Sequence, residues 1–556
     1  MRFFMNYVMD MEKSIKQIID QLKGLCSQNG LANQASEERV ITSIFLYKFL
    51  NDKFLFNLAD FAKKQGKTVE TILENKKHEM DLYYKKYSMD VAFAYEDTIP
   101  YLINKSNSDT FYKDFDDTLE RISNREENRY FSIVTADGTR KPLFEPISNV
   151  IDDSKKKNLF VRNIFSYISQ EKFDFGAAFP NKFDFYSAIF EYLIKDYNVA
   201  SGVYAEYFTP QSVSSIIARI LVRMSPGMNA SEIYDPSAGS GSLILHLAHE
   251  LGADEGINRA VVYTQDISNK STRFLRLNLL LNGLAASLSN VIEGDTLLDP
   301  SHFTVEGDPA SGLKKFDYIT SNPPFKMDFS STRDSIQTKW EESGRFFAGI
   351  PKIPEKKRAS MSIYLLFIQH ILYSLKPNGK AAVVVPTGFL TAQSGIEFKI
   401  REHLIENKML KGVISMPPSI FANTGTNVSV LFFDKAASTE NVILIDASKF
   451  GTKVKDGKNQ RTILSTEEID KIIETFVTCQ QVEDFSSVVS FDEVAAKKCS
   501  FSAGQYFEVK IEYVKMTPEE FKEKISSAEA RLKEYFAEGK KLEGEIEKQL
   551  KILKFN

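Results

Sequence analysis

The sequence predicts an α/β protein with a doubly wound, Rossmann-like domain. A helical N-terminal domain precedes it, and a long C-terminal helix of the coiled-coil type ends the chain. Acids or amides end four successive short apolar runs, at Asp235, Asp266, Asp295 and Asn322. Because the carboxyl ends of parallel strands share one edge of an open sheet, where ligands bind, we expect these side chains to lie together. The predicted domains are 1–165, 166–436, a small mixed α/β region 437–512, and 513–556.

Length and composition limit the class of protein. The 556 residues suffice for several domains, and 43% hydrophobic residues suffice for sizeable cores. A formal net charge of −4 excludes a basic surface over the whole molecule, so contact with nucleic acid needs a local basic face or a partner. Three cysteines and six histidines indicate a reducing compartment and no metal site. Since no apolar run approaches the ~20 residues of a spanning helix, we predict a cytoplasmic protein without membrane contact.

The N-terminal domain shows apolar residues at helical spacing from residue 12 to about 165. Ile15, Ile18 and Leu22 begin this pattern, and a second amphipathic run extends from Ser36 to about Lys64. Aromatic residues at 83–87 are interpreted as core rather than as a base-stacking surface, because aromatic stripes at helical spacing are usually buried.

Two helices lead into the central domain. The first is predicted at 183–197. For the second, Thr209 is the predicted N-cap and Pro210 the first helical residue, opening a helix over 211–224. The free N–H groups at such a helix start suit an anionic carboxylate of a ligand.

A glycine-rich turn follows the first predicted strand, which ends at Asp235. Gly239 and Gly241 let the backbone approach a ligand closely before a helix over 242–251. Neither a pyrophosphate-binding fingerprint nor a P-loop fits this turn. The Asp235 carboxylate would repel phosphates and attract a cationic amine or sulfonium. An ordinary structural turn is the alternative.

The next predicted strands end in further acids. The strand 261–266 ends in Asp266, near the position where a second-strand carboxylate binds ribose hydroxyls. A short helix is predicted at 278–284, and the following strand ends at Asp295.

The proline-rich loop Asn322–Phe325 lies beyond a predicted strand at 316–320. Pro323 restrains Asn322 to extended geometry, and two prolines make the loop stiff. The Asn322 side-chain oxygen and a backbone carbonyl can accept both N–H bonds of an exocyclic amine, while Phe325 can stack on its ring. A rigid turn without chemistry is the alternative.

A polar stretch at 326–358 carries eight basic residues and the only tryptophan, Trp340. We predict a mobile loop that closes on nucleic acid through phosphate contacts, with solvated disorder as the alternative. A helix over 361–375 then leads into a strand at 381–385.

The strands that follow are predicted to complete the sheet. Strands near 412–416 and 428–433 form a predicted hairpin that closes it. Phe421, in the loop between them, is either a second aromatic wall opposite Phe325 or a core residue. Two further strands are predicted at 442–445 and 487–491, within the small mixed region.

The C-terminal segment begins with a predicted capping box, Thr517–Glu520. Apolar residues then recur at 4-3 spacing among Lys and Glu, from Phe521 to Leu553, which is typical of a coiled-coil seam. We expect a partner subunit to cover this seam, with a self-folded antiparallel helix as the alternative.

The motif series Asp235–Gly241, Asp266, Asp295 and Asn322–Phe325 resembles the amino-group DNA methyltransferases that use S-adenosylmethionine. The preceding segment Glu206–Pro210 narrows the resemblance to the modification subunit of type I restriction-modification systems. This chain departs from the family in two places: its aromatic pair is Tyr207-Phe208 rather than Phe-Tyr, and its ribose-binding acid is Asp266 rather than Glu.

The resemblance implies transfer of a methyl group from S-adenosylmethionine to N6 of a flipped adenine in duplex DNA. The implied partners are a specificity subunit on the C-terminal helix, a second modification subunit and a restriction subunit. The resemblance implies a catalytic loop of Asn322, Pro323, Pro324 and Phe325. It implies that the residues in contact with the cofactor are Tyr207, Thr209, Asp235, Ser237, Gly239, Gly241, Asp266 and Asp295. It also implies that Phe325 and Phe421 contact the target base. Cytosine N4, RNA bases and protein glutamine stay open as targets, as does a non-catalytic scaffold.

Overall fold

We describe the protein from a computed structural model. The described residues are 16–32, 35–74, 76–87, 90–131, 133–134, 140–170, 173, 175–176, 179, 209–225, 231–252, 260–421, 426–437, 440–456, 459–507 and 517–552. Residues 1–507 form one compact unit and residues 508–556 a second. Within these described ranges, no helix is both long and apolar enough to cross a membrane.

Helices dominate the N-terminal part, as predicted. The first seven are α1 (16–28), α2 (Ala35–Lys64), α3 (Val69–Glu74), α4 (Lys76–Lys86), α5 (Ile99–Leu102), α6 (Phe111–Asn124) and α7 (Ser154–Ile168). A small hairpin, β1 (Ile133–Val134) with β2 (Arg140–Lys141), interrupts them. Most apolar side chains of α2 are buried, and Tyr83 is 3% exposed, so the aromatic stripe belongs to the core. The predicted helix 183–197 lies outside the described residues.

Alternating helices and strands build the rest of the first unit. The helices are α8 (Gln211–Arg223), α9 (Ser242–Gly252), α10 (Asn269–Leu281), α11 (Arg333–Trp340), α12 (Tyr364–Ser374), α13 (Gly395–Glu406), α14 (Thr466–Val477) and α15 (Phe491–Ala496). The strands are β3 (Ser231–Asp235), β4 (Ala260–Asp266), β5 (Val291–Glu293), β6 (Phe303–Val305), β7 (Asp308–Leu313), β8 (Phe316–Ser321), β9 (Leu375–Pro386), β10 (Leu410–Ser415), β11 (Val428–Asp434), β12 (Asn441–Asp446), β13 (Thr452–Asp456), β14 (Asn459–Ile463) and β15 (Ser486–Ser490).

Among the described residues, nine strands form the central sheet, in the order β15-β12-β10-β11-β9-β8-β3-β4-β5. The five strands from β9 to β5 pair in parallel. Along β9, Ala381, Val383 and Val385 enter one core cluster while Ala382 and Val384 enter another. Side chains of a strand alternate between the two faces, so helices cover both sides of this sheet. This architecture confirms the predicted α/β, Rossmann-like fold class.

The direction of chain progression reverses beside β3. The chain runs outward from β3 to β4 and β5, and then returns to place β8 on the other side of β3. Ile233 pairs with Tyr318 across this junction. In open α/β sheets such a reversal opens a crevice at the carboxyl ends of the two strands, where ligands bind. The loops after Asp235 and Ser321 flank this crevice.

Several predicted boundaries differ from the structure. The hairpin of β10 and β11 does not close the sheet, because β12 pairs in parallel with β10 and β15 extends the sheet beyond β12. Two strands of the region 437–512 therefore belong to the common sheet. The helix predicted at 278–284 is instead α10, which begins at Asn269 with a Ser268 cap. Sequence periodicity could not reveal the pairing partners of β12, because pairing is a long-range contact.

The polar stretch 326–358 is structured rather than an open loop. It contains α11, and Arg345 within it is fully buried. Arg333 bonds the carbonyl of Pro351, and Lys339 pairs with Asp299. The prediction of a phosphate contact is wrong for Arg345, because its guanidinium is buried. For Arg333 and Lys339, which keep exposed surface, it stays a prediction. Lys352, Lys356, Lys357 and Arg358 are exposed, in agreement with a solvent-facing basic segment.

The second unit contains α16 (Pro518–Ile552). The predicted capping box is present: the Thr517 N–H donates to Glu520 Oε2 (2.9 Å), and the Glu520 N–H donates to Thr517 Oγ1 (3.2 Å). The apolar positions of the predicted seam are exposed along the helix, among them Leu532 at 52%. Leu553, the last of them, lies outside the described residues.

Candidate active site

The glycine-rich turn and the proline-rich loop open onto one cavity. Its volume is about 400 Å³, and its lining includes Ser237, Gly239, Asp266, Asp295 and Asn322. The prediction that the strand-ending acids and the amide share one edge of the sheet is therefore confirmed. Pro324 lies on the lining as well. Cavities of this size hold small ligands such as cofactors.

The glycine-rich turn is folded by local hydrogen bonds. Asp235 Oδ1 accepts the Ser237 N–H (3.0 Å), and the Gly241 N–H donates to the Ala238 carbonyl (2.8 Å). Gly239 and Gly241 have φ of +52° and +89°, a region that side chains disfavour. A Cβ on Gly241 would lie 2.3 Å from Leu275 Cδ1. Both glycines are thus required by the backbone geometry of the turn.

Hydroxyl contacts join the two loops directly. The hydroxyls of Ser237 and Ser321 are 2.7 Å apart. Thr296 Oγ1 donates to the Pro236 carbonyl (2.7 Å), so the turn after β5 is tied to the same loop. These contacts hold the glycine-rich turn and the start of the proline-rich loop at a fixed separation.

Asp266 is fixed by two backbone donors. Its Oδ2 accepts the Gly239 N–H (2.9 Å), and its Oδ1 accepts the Ser268 N–H (2.8 Å). Burial raises the pKa of this carboxyl above its usual range, although the two N–H bonds act in the opposite direction. Each carboxylate oxygen accepts more than one bond, so Asp266 keeps acceptor capacity toward the cavity.

Asp295 begins a tight turn on the opposite side of the crevice. Its Oδ1 accepts the N–H groups of Leu297 (2.9 Å) and Leu298 (3.2 Å). Arg345 supports the same turn from beneath: its guanidinium donates to the carbonyls of Thr296 (2.7 Å) and Leu297 (2.8 Å). Burial lowers the pKa of Arg345 to about 9. No local sequence pattern indicates this supporting role.

Asn322 is held by Thr209. The amide Nδ2 donates to Thr209 Oγ1 (3.1 Å), and the two residues are 9% and 4% exposed. The predicted N-cap at Thr209 is wrong by one residue, because Pro210 occupies the N-cap position and α8 begins at Gln211. The Thr209 hydroxyl therefore contacts the amide of the proline-rich loop, at the end of another strand. Tyr207 lies outside the described residues.

The cavity also has an apolar part of its lining. Its side chains come from the segment after the proline-rich loop and from the start of α12: Met327, Phe329, Ile363 and Phe367. These four residues are not among the site residues predicted from the sequence. Met327 and Phe329 are two of several apolar residues in the stretch 326–358, so no local pattern distinguishes them.

The remaining predicted site residues lie at or beyond the margin of the cavity. Asp235 is 1% exposed and contacts a smaller polar cavity of about 10 Å³, which Thr209, Ser237 and Asn322 also line. Phe325 is partly buried, with its ring edge-on to Tyr364 at 6.3 Å. Phe421 is 4% exposed within the hydrophobic core and is not part of the lining of the larger cavity.

Comparisons with known proteins agree with this architecture. The chain is 29% identical over 404 residues to the type I restriction enzyme MjaIX methylase subunit of Methanocaldococcus jannaschii, covering 70% of this chain and 64% of that protein. It is 26% identical over 380 residues to the HindI methylase subunit of Haemophilus influenzae, covering 66% and 78%. The chain therefore spans slightly less than two thirds of the MjaIX subunit.

Two solved structures share the fold. A type I restriction-modification methyltransferase subunit from Streptococcus thermophilus superposes with a TM-score of 0.67 at 21% identity, covering 90% of this chain and all of that one. A modification subunit from Vibrio vulnificus YJ016 gives 0.52 at 18% identity, covering 87% and 93%. The family model for N-6 DNA methylase matches residues 181–513, which is more than half of the chain. This protein belongs to the N-6 DNA methylase family.

Proposed function

We propose that this chain transfers a methyl group from S-adenosylmethionine to N6 of adenine in duplex DNA, as the modification subunit of a type I restriction-modification system. One observation carries the proposal: the glycine-rich turn, Asp266, Asp295 and Asn322 line a single cavity. Membership of the N-6 DNA methylase family supports the reaction class. The names of the relatives, all methylase subunits of type I restriction enzymes, support the assembly.

The residues that line the cavity fit S-adenosylmethionine. Bound there, this cofactor would supply a methyl group on a sulfonium for in-line attack by an amine nitrogen. Asp266 has acceptor capacity for ribose hydroxyls, and Asp295 would accept a hydrogen bond near the adenine ring. Phe329 and Ile363 offer an apolar surface to the same ring. Gly239 exposes backbone, without a side chain, where the ligand would pass closest.

Asn322 and the Pro323 carbonyl would position the target amine. Both are hydrogen-bond acceptors, so together they can take the two N–H bonds of an exocyclic amine and leave its lone pair directed at the methyl group. A base within a duplex cannot reach this loop, so the target must leave the stack. Phe325 would stack on the extruded ring, and Phe421 would need to leave the core to do the same. Positioning, rather than a strong base, supplies the catalysis.

The proposed partners have separate surfaces on the chain. The exposed cations Lys352, Lys356, Lys357 and Arg358 would contact DNA phosphates. The exposed apolar positions of α16 would pack against a specificity subunit. A second modification subunit and a restriction subunit would complete the assembly. We place this assembly in the cytoplasm.

Replacement of Asn322 by Ala tests the proposal. We expect methyl transfer from labelled S-adenosylmethionine to DNA to be lost, while isothermal titration still detects cofactor binding. The substrate is genomic DNA from a host strain that lacks the gene, and the enzyme is the full chain with the subunits that accompany it. Full activity of Asn322→Ala would contradict the assigned role.

The same assay separates the other candidate functions. Parallel reactions with RNA and with protein distinguish the alternative substrates, and sequencing of modified bases distinguishes adenine N6 from cytosine N4. A wild-type chain that does not bind S-adenosylmethionine in titration would support a scaffold instead.

A further inference from the structure

The contact between Thr209 and Asn322 joins two loops that are far apart in the sequence. The Asn322 Nδ2 group donates to Thr209 Oγ1 at 3.1 Å across 113 residues. The two side chains are 4% and 9% exposed, so bulk water has little access to the bond. A buried hydrogen bond of this kind constrains the orientation of the amide more firmly than an exposed one would.

Thr209 is itself fixed in place. Pro210 restricts Thr209 to extended geometry. The Ser242 hydroxyl, at the first residue of α9, donates to the Thr209 carbonyl (3.2 Å). The hydroxyls of Ser214 and Ser242 are also 3.2 Å apart. Thr209 is thus connected to the helix that follows the glycine-rich turn as well as to the proline-rich loop.

The orientation of the Asn322 amide has a chemical consequence. A carboxamide has a donor side, the NH₂ group, and an acceptor side, the oxygen. With Nδ2 directed to Thr209, the oxygen remains for another partner. The reversed amide would present N–H groups to the N–H groups of the target amine, and two donors repel each other.

We propose that Thr209 is a positioning residue for methyl transfer, one that sets the amide of Asn322 so that its oxygen receives the target amine. This inference rests on the proposed function. Thr209 then acts on the substrate side of the site, whereas the family resemblance implies that it contacts the cofactor. The hydroxyl, not the bulk of the side chain, carries the role.

Thr209→Val and Thr209→Ser test the role as a matched pair. Valine keeps the shape and removes the hydroxyl, and serine keeps the hydroxyl. For Thr209→Val we expect kcat for DNA methylation to fall about 10- to 100-fold, because a misdirected catalytic group costs rates of that order. We expect the Kd of Thr209→Val for S-adenosylmethionine to stay within about twofold of wild type, because the hydroxyl contacts Asn322. We expect kcat of Thr209→Ser to stay within about threefold of wild type, because serine retains the hydroxyl.

Three results would overturn the inference. The first is wild-type kcat in Thr209→Val. The second is a weakened cofactor Kd with unchanged kcat at saturating cofactor, which would make Thr209 a cofactor ligand. The third is an equal loss of kcat in Thr209→Ser, which would make side-chain size the cause. If Thr209→Val does not fold, Thr209→Ala removes the same hydroxyl and is judged by the same criteria.

Asn322→Ala, assayed in parallel, separates this inference from the proposed function. A loss of activity in Asn322→Ala together with a fully active Thr209→Val rejects only the role of Thr209. Full activity in Asn322→Ala rejects the assigned role of Asn322, and the role of Thr209 with it. The proposed function itself is rejected when the wild-type chain, assayed with its accompanying subunits, transfers no methyl group to DNA.

Discussion

Burial sets the behaviour of the carboxyl groups at the ends of the central strands. Asp235 is 1% exposed, and burial raises the pKa of its carboxyl well above the ordinary value of 3.8. The neighbouring Asp266 carboxylate raises the pKa of Asp235 further, while the Ser237 N–H acts in the opposite direction. The folded protein therefore binds a proton at Asp235 more tightly than the unfolded chain does.

This raised pKa predicts a pH-dependent gain in stability for Asp235→Asn. Because the pKa of Asp235 is higher in the folded state than in the unfolded state, protonated Asp235 contributes fully to the stability of wild type at pH values below the unfolded pKa. This contribution to stability is lost as the pH rises to the folded pKa. Asparagine does not ionise, so the variant lacks that loss. We expect the free energy of unfolding of the variant, relative to wild type, to increase with pH. The increase should reach up to about 1.4 kcal/mol per pH unit in the range between the unfolded and the folded pKa of Asp235.

Urea unfolding of both proteins at about pH 4.5, 6 and 7.5 measures this difference. Asp153→Asn is a suitable control, because Asp153 caps an exposed helix start and its pKa is lowered by backbone N–H bonds. For the control the relative stability should stay nearly constant over these pH values, because the lowered pKa of Asp153 confines its pH-dependent change to the range below the ordinary value of 3.8. A difference for Asp235→Asn that does not vary with pH would contradict the prediction.

Arg345 shows a residue role that no local pattern indicates. It lies in a polar stretch among other cations, and the sequence analysis grouped it with phosphate ligands. In the structure it is buried, donates to two carbonyls of the Asp295 turn, and bonds His370 Nδ1 (3.0 Å). Only the packing of α12 beneath this turn determines which arginine of the stretch becomes internal.

At the scale of elements, the glycine-rich turn depends on its packing against α10. Gly241 has φ +89°, and its Cα faces Leu275, which is 1% exposed. Gly283 also has positive φ, at +72°, but a Cβ there would meet no atom within 4 Å. A comparison of alanine substitutions at these two positions therefore separates the cost of backbone strain from the cost of steric crowding.

We expect Gly241→Ala to destabilise the protein more than Gly283→Ala. Alanine in the left-handed region costs about 1–2 kcal/mol at either position. At Gly241 the clash with Leu275 adds about 1–3 kcal/mol, because a buried side chain must move. Thermal unfolding with the two variants side by side measures the difference, and equal losses would show that the turn relaxes without disturbing α10.

At the scale of the whole molecule, α16 has an apolar seam that is exposed within its own unit. Phe521, Ile525, Leu532, Leu542 and Ile546 are each between 46% and 59% exposed. An isolated helix gains most of its stability from packing against another element, so this seam favours a partner subunit. The charged side chains that flank the seam suit the edges of a coiled coil.

Substitutions in this seam should separate assembly from folding. We expect the double variant Leu532→Glu and Leu542→Glu to lose association with the proposed specificity subunit by at least about tenfold, because a buried charge without a partner is costly. The thermal unfolding of residues 1–507 should not change. Lys533→Glu with Lys540→Glu is the matched control, and co-purification from the host with size determination measures association. Retained association of the seam variant would favour a self-folded helix.

The sequence determined the local features of this protein. The acids that end β3 and β4, the two turns rich in glycine or proline, and the capping box at Thr517 all follow from neighbouring residues, and the structure has them where they were predicted. Asp295 lies beyond the end of β5, which is Glu293. Their common edge also followed, since parallel strands bring their carboxyl ends together.

The tertiary structure alone decided the contacts between distant segments. It placed the β10–β11 hairpin inside the sheet rather than at its edge, buried Arg345, and directed the Thr209 hydroxyl to Asn322 rather than to the start of α8. The physical reason is common to the three. A hydroxyl, a guanidinium or a strand edge can satisfy its hydrogen bonds with several partners, and only the assembled packing selects one of them.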